Sequence, residues 1–443
     1  MTRLLPKFAG LAGLACALAM PRFVLAQAPT NVQLDTWDGR GYQPCEPSIA
    51  LDPTNPDVVV AGSILDNVYR SSDGGATWTK STLKSPLGVF GDPCVVASPT
   101  GDFYYLHLSD PDGMGWRSDA LLDRIVCQRS RDGGATWSRG GGMGHTPPKD
   151  QDKEWAVVNL DGSRIHACWT QFDVYGSDAP DDRSVILCSH ANVKGKKWST
   201  PVRVSELSGD CIDSDGTTEG AVPAMGPHGE VYVAWAVGEW IFFDRSLDGG
   251  ATWGDSDVRV TAIVGGWDQS IPGIGRVNGM PVTGVDLSDG PHRGRIYVNW
   301  TDTINGDNDV WITWSDDGGD TFGPRVRINN DGADRDQFFT WMAVDPVRGD
   351  VHVVFYDRRH NAAREDLSTH VVVATSTDGG ATWTNRTVSE TPFVPEGKVF
   401  FGDYNNISAV DGRVRPIWTR EDRGVLSVWT ALLDFDRGRP DLD

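Results

Sequence analysis

Three features of the sequence predict an all-β fold of repeated sheets. One octapeptide recurs five times, and paired short apolar segments accompany it. The 443 residues also include 51 glycines, 26 prolines and 18 tryptophans, a surplus of turn formers and packing aromatics. Charged residues at 23% and hydrophobic residues at 39% are globular proportions.

At the start of the chain, Arg3 and Lys7 precede an apolar stretch over 8–20, and Val24-Leu25-Ala26 supplies short residues at a cleavage position. An export signal over 1–26 is expected, cut before Gln27. Its loss removes Arg3, Lys7 and Arg22 and no acid, so 37 cations then face 61 acids, a net charge of −24. That field repels phosphate backbones and anionic lipid heads, which argues against nucleic-acid and membrane-surface partners. No later apolar run is long enough to span a bilayer. The expected location is secreted or periplasmic. Six cysteines remain (Cys45, Cys94, Cys127, Cys168, Cys188 and Cys211), an even count that points to disulfides and leaves fifteen pairings open.

The octapeptide reads SSDGGATW from Ser71, SRDGGATW from Ser130, SLDGGATW from Ser246, SDDGGDTF from Ser315 and STDGGATW from Ser376. Its Ser and Asp can bond turn backbone groups, its glycines permit positive φ, and Thr-Trp begins the next strand. It is structural punctuation, and catalysis is not placed on it. Successive serines lie 59, 116, 69 and 61 residues apart. The doubled gap holds a unit whose box has decayed to Ser189 and Trp198. Such a period marks a propeller or a solenoid.

Second strands are expected over 58–63, 103–108, 166–171, 231–237, 296–302, 351–357 and 414–420, most of them rich in aromatics. Each follows a short first strand, at 46–52, 92–98, 154–160, 219–225, 279–286, 338–345 and 403–410. The last unit has a third strand at 426–433 and then runs out of chain. Asn31–Trp37 supplies its missing outer strand, which would close the ring and remove exposed edges. The fold class is therefore all-β, a β-propeller of seven blades closed by an N-terminal strand, with six blades as the alternative. Residues 27–443 form one domain.

The boxes are similar to the Asp-box, or BNR, repeat, and the chain after the leader resembles the secreted BNR-repeat proteins of the sialidase superfamily. The resemblance implies a propeller and a carbohydrate substrate. It also implies three arginines on a substrate carboxylate, an Asp acid/base, and a Tyr nucleophile assisted by a Glu. The first arginine of that family belongs to a Phe-Arg-Ile-Pro motif. Here the segment reads Pro44-Cys45-Glu46-Pro47-Ser48-Ile49, with Cys45 at the arginine position. That departure points to a substrate other than ordinary sialic acid. Sialidases have six blades.

Propellers place ligands in the central funnel, whose mouth is lined where first strands begin and second strands end. Those positions hold Glu46, Asp92, Glu154, Glu219 and Asp403-Tyr404, with Asp110, Glu239, Asp302, Asp357-Arg358-Arg359 and Arg420-Glu421. Convergent carboxylates suit glycoside cleavage, one as acid and another as base or nucleophile. Glu46, Asp92, Asp403 and Tyr404 are the catalytic candidates. Arg358, Arg359 and Arg420, with Glu154 and Glu219, are the substrate-binding candidates, since guanidinium grips an acidic sugar. The same residues would equally serve as caps and inter-blade ion pairs, Asp357-Arg358 among them. Trp116, Trp240 and Trp267 are candidate sugar platforms.

No cofactor is required by this chemistry. Two acidic loops, 210–216 followed by Glu219, and Asp302-Asn305-Asp307-Asp309, crowd oxygens as calcium loops do, and calcium stays open there. The expected function is an exported sialidase-like glycoside hydrolase acting in the funnel. Alternatives are a non-catalytic propeller that binds glycans or protein, and a polysaccharide lyase using a Tyr or His base such as His360 beside Arg358. A monomer is expected.

Overall fold

The structure is a computed structural model that describes residues 29–332 and 334–435. The expected export signal lies outside the described residues. Seven antiparallel sheets of four principal strands form the blades. Their inner strands are Ser48–Leu51, Cys94–Ala97, Asp150–Val158, Glu219–Met225, Val282–Val285, Gln337–Val344 and Asn406–Val410. Each inner strand touches the next, and the last touches the first, so the sheets close around one axis. The seven-bladed expectation holds.

Second strands follow outward, and Phe103–Leu108, Val231–Val237, Ile296–Asp302 and Val351–Asp357 fall on the expected residues. They are buried almost throughout, because each is covered by neighbouring blades on both faces. Trp169, Trp235, Trp300 and Trp418 recur on these strands and are fully buried, as inter-blade core.

The box turns work as their chemistry suggests. In the first, Asp73 accepts from Thr77 N (2.9 Å), Thr77 Oγ1 (2.6 Å) and Ser71 Oγ (2.7 Å), and Ser71 Oγ accepts from Gly75 N (2.9 Å). The Thr77 hydroxyl is the main reason the Asp73 carboxyl is held down at about 2. The same bonds recur at Asp132, Asp248, Asp317 and Asp378. The Trp78 indole donates to Gly75 O at 2.8 Å; in the decayed unit Trp198 still donates to Gly195 O, at 3.2 Å. Arginines tie boxes to the preceding blade: Arg415 donates to Gly74 O (2.6 Å) and Arg295 to Gly379 O (2.7 Å).

Ring closure is made by Asn31–Thr36, which pairs antiparallel with Val425–Ala431 as the fourth strand of the last blade. Of the expected disulfides one forms. Cys168 and Cys188 face each other on adjacent strands of the third blade and form a disulfide. Cys45, Cys94, Cys127 and Cys211 are free and buried. Cys94 and Cys127 share a core but sit on strands flanking Phe103–Leu108, two strand spacings or roughly 9–10 Å apart, too far to bridge.

If the N-terminal strand is the closure, a chain beginning after Thr36 exposes Val425–Ala431 as a bare edge. Size-exclusion chromatography and thermal melting should then find aggregation and a melting temperature lowered by several degrees. A monomer of unchanged stability would refute the closure role.

Candidate functional site

At the funnel end the inner strands begin with a repeated distortion. Glu46, Asp92, Lys153 and Phe339 have φ of 52°, 49°, 55° and 50°, left-handed values that side chains rarely adopt. In the third, fourth and sixth blades the pairing register skips here, between Asp152 and Trp155, Glu219 and Val222, and Phe338 and Trp341. Such bulges re-aim side chains, and strained backbone of this kind gathers at functional sites. The fourth blade uses Gly220 (φ 82°), where a Cβ would lie 2.8 Å from Met280 of the next blade. Gly402 likewise admits Glu46, whose Cγ would meet its Cβ at 2.7 Å.

These starts enclose a narrow cavity of about 40 Å³, room for about three waters. One half of its wall is polar, with Asp92, Lys153, Glu154, Asp403 and Tyr404 from the second, third and seventh blades. The other half is mostly apolar, with Ala221, Val222, Met280, Val282, Phe339 and Trp341 from the fourth, fifth and sixth. Trp155 and Trp341 pack with ring centroids 4.3 Å apart as its floor, and an apolar channel lined by the inner strands lies beyond them.

The electrostatic centre is Asp403, which is 5% exposed. Its Oδ2 meets Lys153 Nζ at 2.8 Å and an Arg276 guanidinium nitrogen at 3.1 Å. Arg276 also meets Asp213 at 3.0 Å, and Tyr175 Oη donates to Asp213 at 2.6 Å. The Asp403 amide donates to Glu46 Oε1 at 3.1 Å. Seven carboxyl groups (Glu46, Asp92, Asp152, Glu154, Asp213, Glu219 and Asp403) thus surround two cations, Lys153 and Arg276. They cannot all ionise. Burial raises Asp403, but Lys153 and then Arg276 more than offset it and hold that carboxyl low. Burial pushes Glu46, Asp92, Glu154 and Glu219 up, helped in Glu154 by Asp92. Asp152 is pushed up to about 8, by burial and then by Asp92. Neither oxygen of Glu154, only 3% exposed, hydrogen-bonds to another group of the described protein.

A hairpin of Asp268–Gln269 and Val277–Asn278, between the fourth and fifth blades, stands over this cavity. Its inner curve forms a bowl of about 600 Å³ with Asp213, Arg276 and Asn278 among its walls. Asn278 Nδ2 donates to the Asp403 carbonyl at 2.7 Å. Trp267, expected as a platform, is instead 2% exposed and donates to Thr217 O at 3.2 Å, anchoring this segment.

Of the sequence candidates, Asp92, Glu154, Asp403 and Tyr404 line one cavity, and Glu46 and Glu219 stand in its charge cluster. The Tyr404 hydroxyl donates to Pro93 O at 3.3 Å, and burial pushes it well above the ordinary phenol range. The three arginines do not line the cavity. Arg358, 3% exposed, donates to Pro272 O of the hairpin at 2.8 Å and to Thr369. Arg359, not Arg358, pairs with Asp357, at 2.6 Å, and Arg420 pairs with Asp422, also at 2.6 Å. Their cationic place is taken by Lys153 and Arg276, which sequence reasoning missed. Lys153 adjoins Glu154, but only the bulge turns it inward; Arg276 lies in a loop with no counterpart in the repeat. Asp213, in the first of the two acidic loops, pairs with Arg276. In the other such loop Asp302 binds Arg325 and Asp309 binds Arg327, each at 2.6 Å. Among the described residues no group of three or more His, Cys, Asp or Glu is arranged to hold a metal.

The raised carboxyls make stability pH-dependent. A group whose folded pKa is raised stabilises below its unfolded value and loses that contribution as pH rises through the folded value. Asp152→Asn should therefore raise the melting temperature relative to wild type at about pH 9, above the folded value near 8, and change it little at about pH 4. Parallel melting curves at both pH values would refute the buried, neutral Asp152.

No protein-family model matches the chain, and no curated protein matches it. Solved structures do. A protein of unknown function from Dyadobacter fermentans is 14% identical, with 93% of this chain and 99% of that chain covered and a TM-score of 0.49. The Hadza microbial sialidase Hz136 is 14% identical over 86% of this chain and 75% of its own, with a TM-score of 0.47. The Penicillium chrysogenum α-L-arabinanase, complexed with arabinobiose, is 15% identical over 82% and 99%, also at 0.47.

Proposed function

We propose that this chain is an exported, sialidase-like glycoside hydrolase whose chemistry takes place in the funnel cavity. The observation that carries this reading is that Asp403, held ionised between Lys153 and Arg276, shares one cavity with Asp92 and Glu154, both pushed toward the neutral form. Environments that drive carboxyl pKa values apart assign an acid and a base. Glu154 or Asp92 protonates the leaving oxygen, and Asp403 stabilises the cationic sugar or activates its attacker. Both cavity cations are already matched to Asp403 and Asp213, leaving no spare guanidinium for a substrate carboxylate. This supports an uncharged sugar over a sialic or uronic acid, and with it a hydrolase over a lyase. The Cys168–Cys188 disulfide and the leader pattern support export.

A second reading, a glycan-binding propeller without turnover, is favoured by the narrowness of the cavity.

The test is release of reducing ends from neutral and acidic glycans. Asp403→Asn and Glu154→Gln should each lower kcat roughly 10²–10⁴-fold with the melting temperature within a few degrees of wild type. The pH–rate profile should be a bell, falling at low pH as Asp403 protonates and at high pH as the acid ionises. Turnover that survives both substitutions sinks the assignment; binding without turnover on any glycan selects the second reading.

A further inference from the structure

Four aromatic rings lie in a row on the funnel face. Tyr42 precedes the first inner strand and Phe90 the second; Trp116 and Tyr175 lie between second and third strands of the second and third blades. All four segments are at the same end of their blades. Ring centroids are 6.1 Å apart from Tyr42 to Phe90, 6.0 Å from Phe90 to Trp116 and 5.7 Å from Trp116 to Tyr175. Tyr42 is 57% and Trp116 65% exposed, an unusual placement for rings this large. The Trp116 turn is pinned: Asp110 accepts from Gly115 N at 3.2 Å and Asp112 from Ser118 Oγ at 2.6 Å. The indole is therefore held out on an ordered support, which lowers the cost of binding to it.

The row has two ends. Inward, Tyr175 bonds Asp213, which bonds Arg276 at the bowl over the cavity. Outward, Tyr42 lines a groove of about 390 Å³ together with Trp37, Asp38, Asp66 and Lys80.

We infer that Tyr42, Phe90, Trp116 and Tyr175 form a track that holds an extended, uncharged oligosaccharide chain as it enters the funnel. This rests on the reading of the cavity as a sugar site. The exposed Tyr42 and Trp116 each offer an apolar ring face to the C–H face of a sugar unit, and the half-buried Phe90 and Tyr175, packed against the core, hold them in line. Neighbouring carboxylates accept sugar hydroxyls. Asp38, Asp110, Asp112 and Asp119 outnumber Arg40 and Arg117 on the ring-bearing segments, so a polyanionic chain is repelled.

The experiment is isothermal titration calorimetry of the full chain carrying Asp403→Asn, with dimers and hexamers from cellulose, xylan, arabinan and chitin, and with polygalacturonate. At least one neutral hexamer should bind about tenfold tighter than its dimer. Adding Trp116→Ala should cut that ratio to about twofold with the melting temperature held, and Tyr42→Ala should reduce it as well. Equal affinity for dimer and hexamer throughout the panel, no binding to any member, tighter binding of polygalacturonate, or a ratio unmoved by both substitutions overturns the track. Turnover by the unsubstituted chain with an unmoved ratio removes the track and leaves the hydrolase. A Trp116-dependent ratio without turnover keeps the track and removes the hydrolase.

Discussion

Everything at the axis depends on the ring being closed by a strand from the far end of the chain. Seven inner strands can face one another only if the seventh sheet is held against the first, and Asn31–Thr36 on Val425–Ala431 supplies that hold with main-chain bonds. An open array would splay, and Glu46 from the first blade would not meet Asp403 from the seventh. Their contact, the Asp403 amide on Glu46 Oε1, is the chemical seam of the ring.

With the ring closed, a small space holds more acid than it can ionise. Two cations serve seven carboxyl groups, and the geometry favours Asp403, which touches both. Asp213 keeps Arg276 on its other side, and burial drives Glu46, Asp92, Asp152, Glu154 and Glu219 toward the neutral form. An uneven distribution of cations therefore converts similar side chains into unlike chemical groups. Left-handed backbone at Glu46, Asp92 and Lys153 aims them there, so the strain and the charge arise from the same device.

Sequence reasoning reached the blades because repetition is a one-dimensional signal. The box turns, buried second strands and their tryptophans each obey local rules of turn chemistry and strand packing, and they appear where the pattern put them. The acids at strand starts were legible for the same reason, since the funnel end of a blade is a fixed place in the repeat. Arg358, Arg359 and Arg420 occupy comparable places but meet local acids and carbonyls first, and nothing in a string of residues ranks those partners. Lys153 and Arg276 escaped because one depends on a bulge and the other on an insertion outside the repeat. The even cysteine count pointed to disulfides and one forms, but cysteines on strands separated by a third cannot join, and no string of residues shows which pair can.

By itself, the sequence determined the all-β class, the repeat, the seven units and the ring of acids, because each follows from periodic spacing and short-range backbone chemistry. Tertiary structure alone decided which charges meet, which cysteines pair, and which aromatics stay exposed. Those outcomes turn on distances between residues from 20 positions apart, as in Cys168–Cys188, to 250, as in Lys153–Asp403, and a difference of a few ångströms separates an ion pair from two isolated charges.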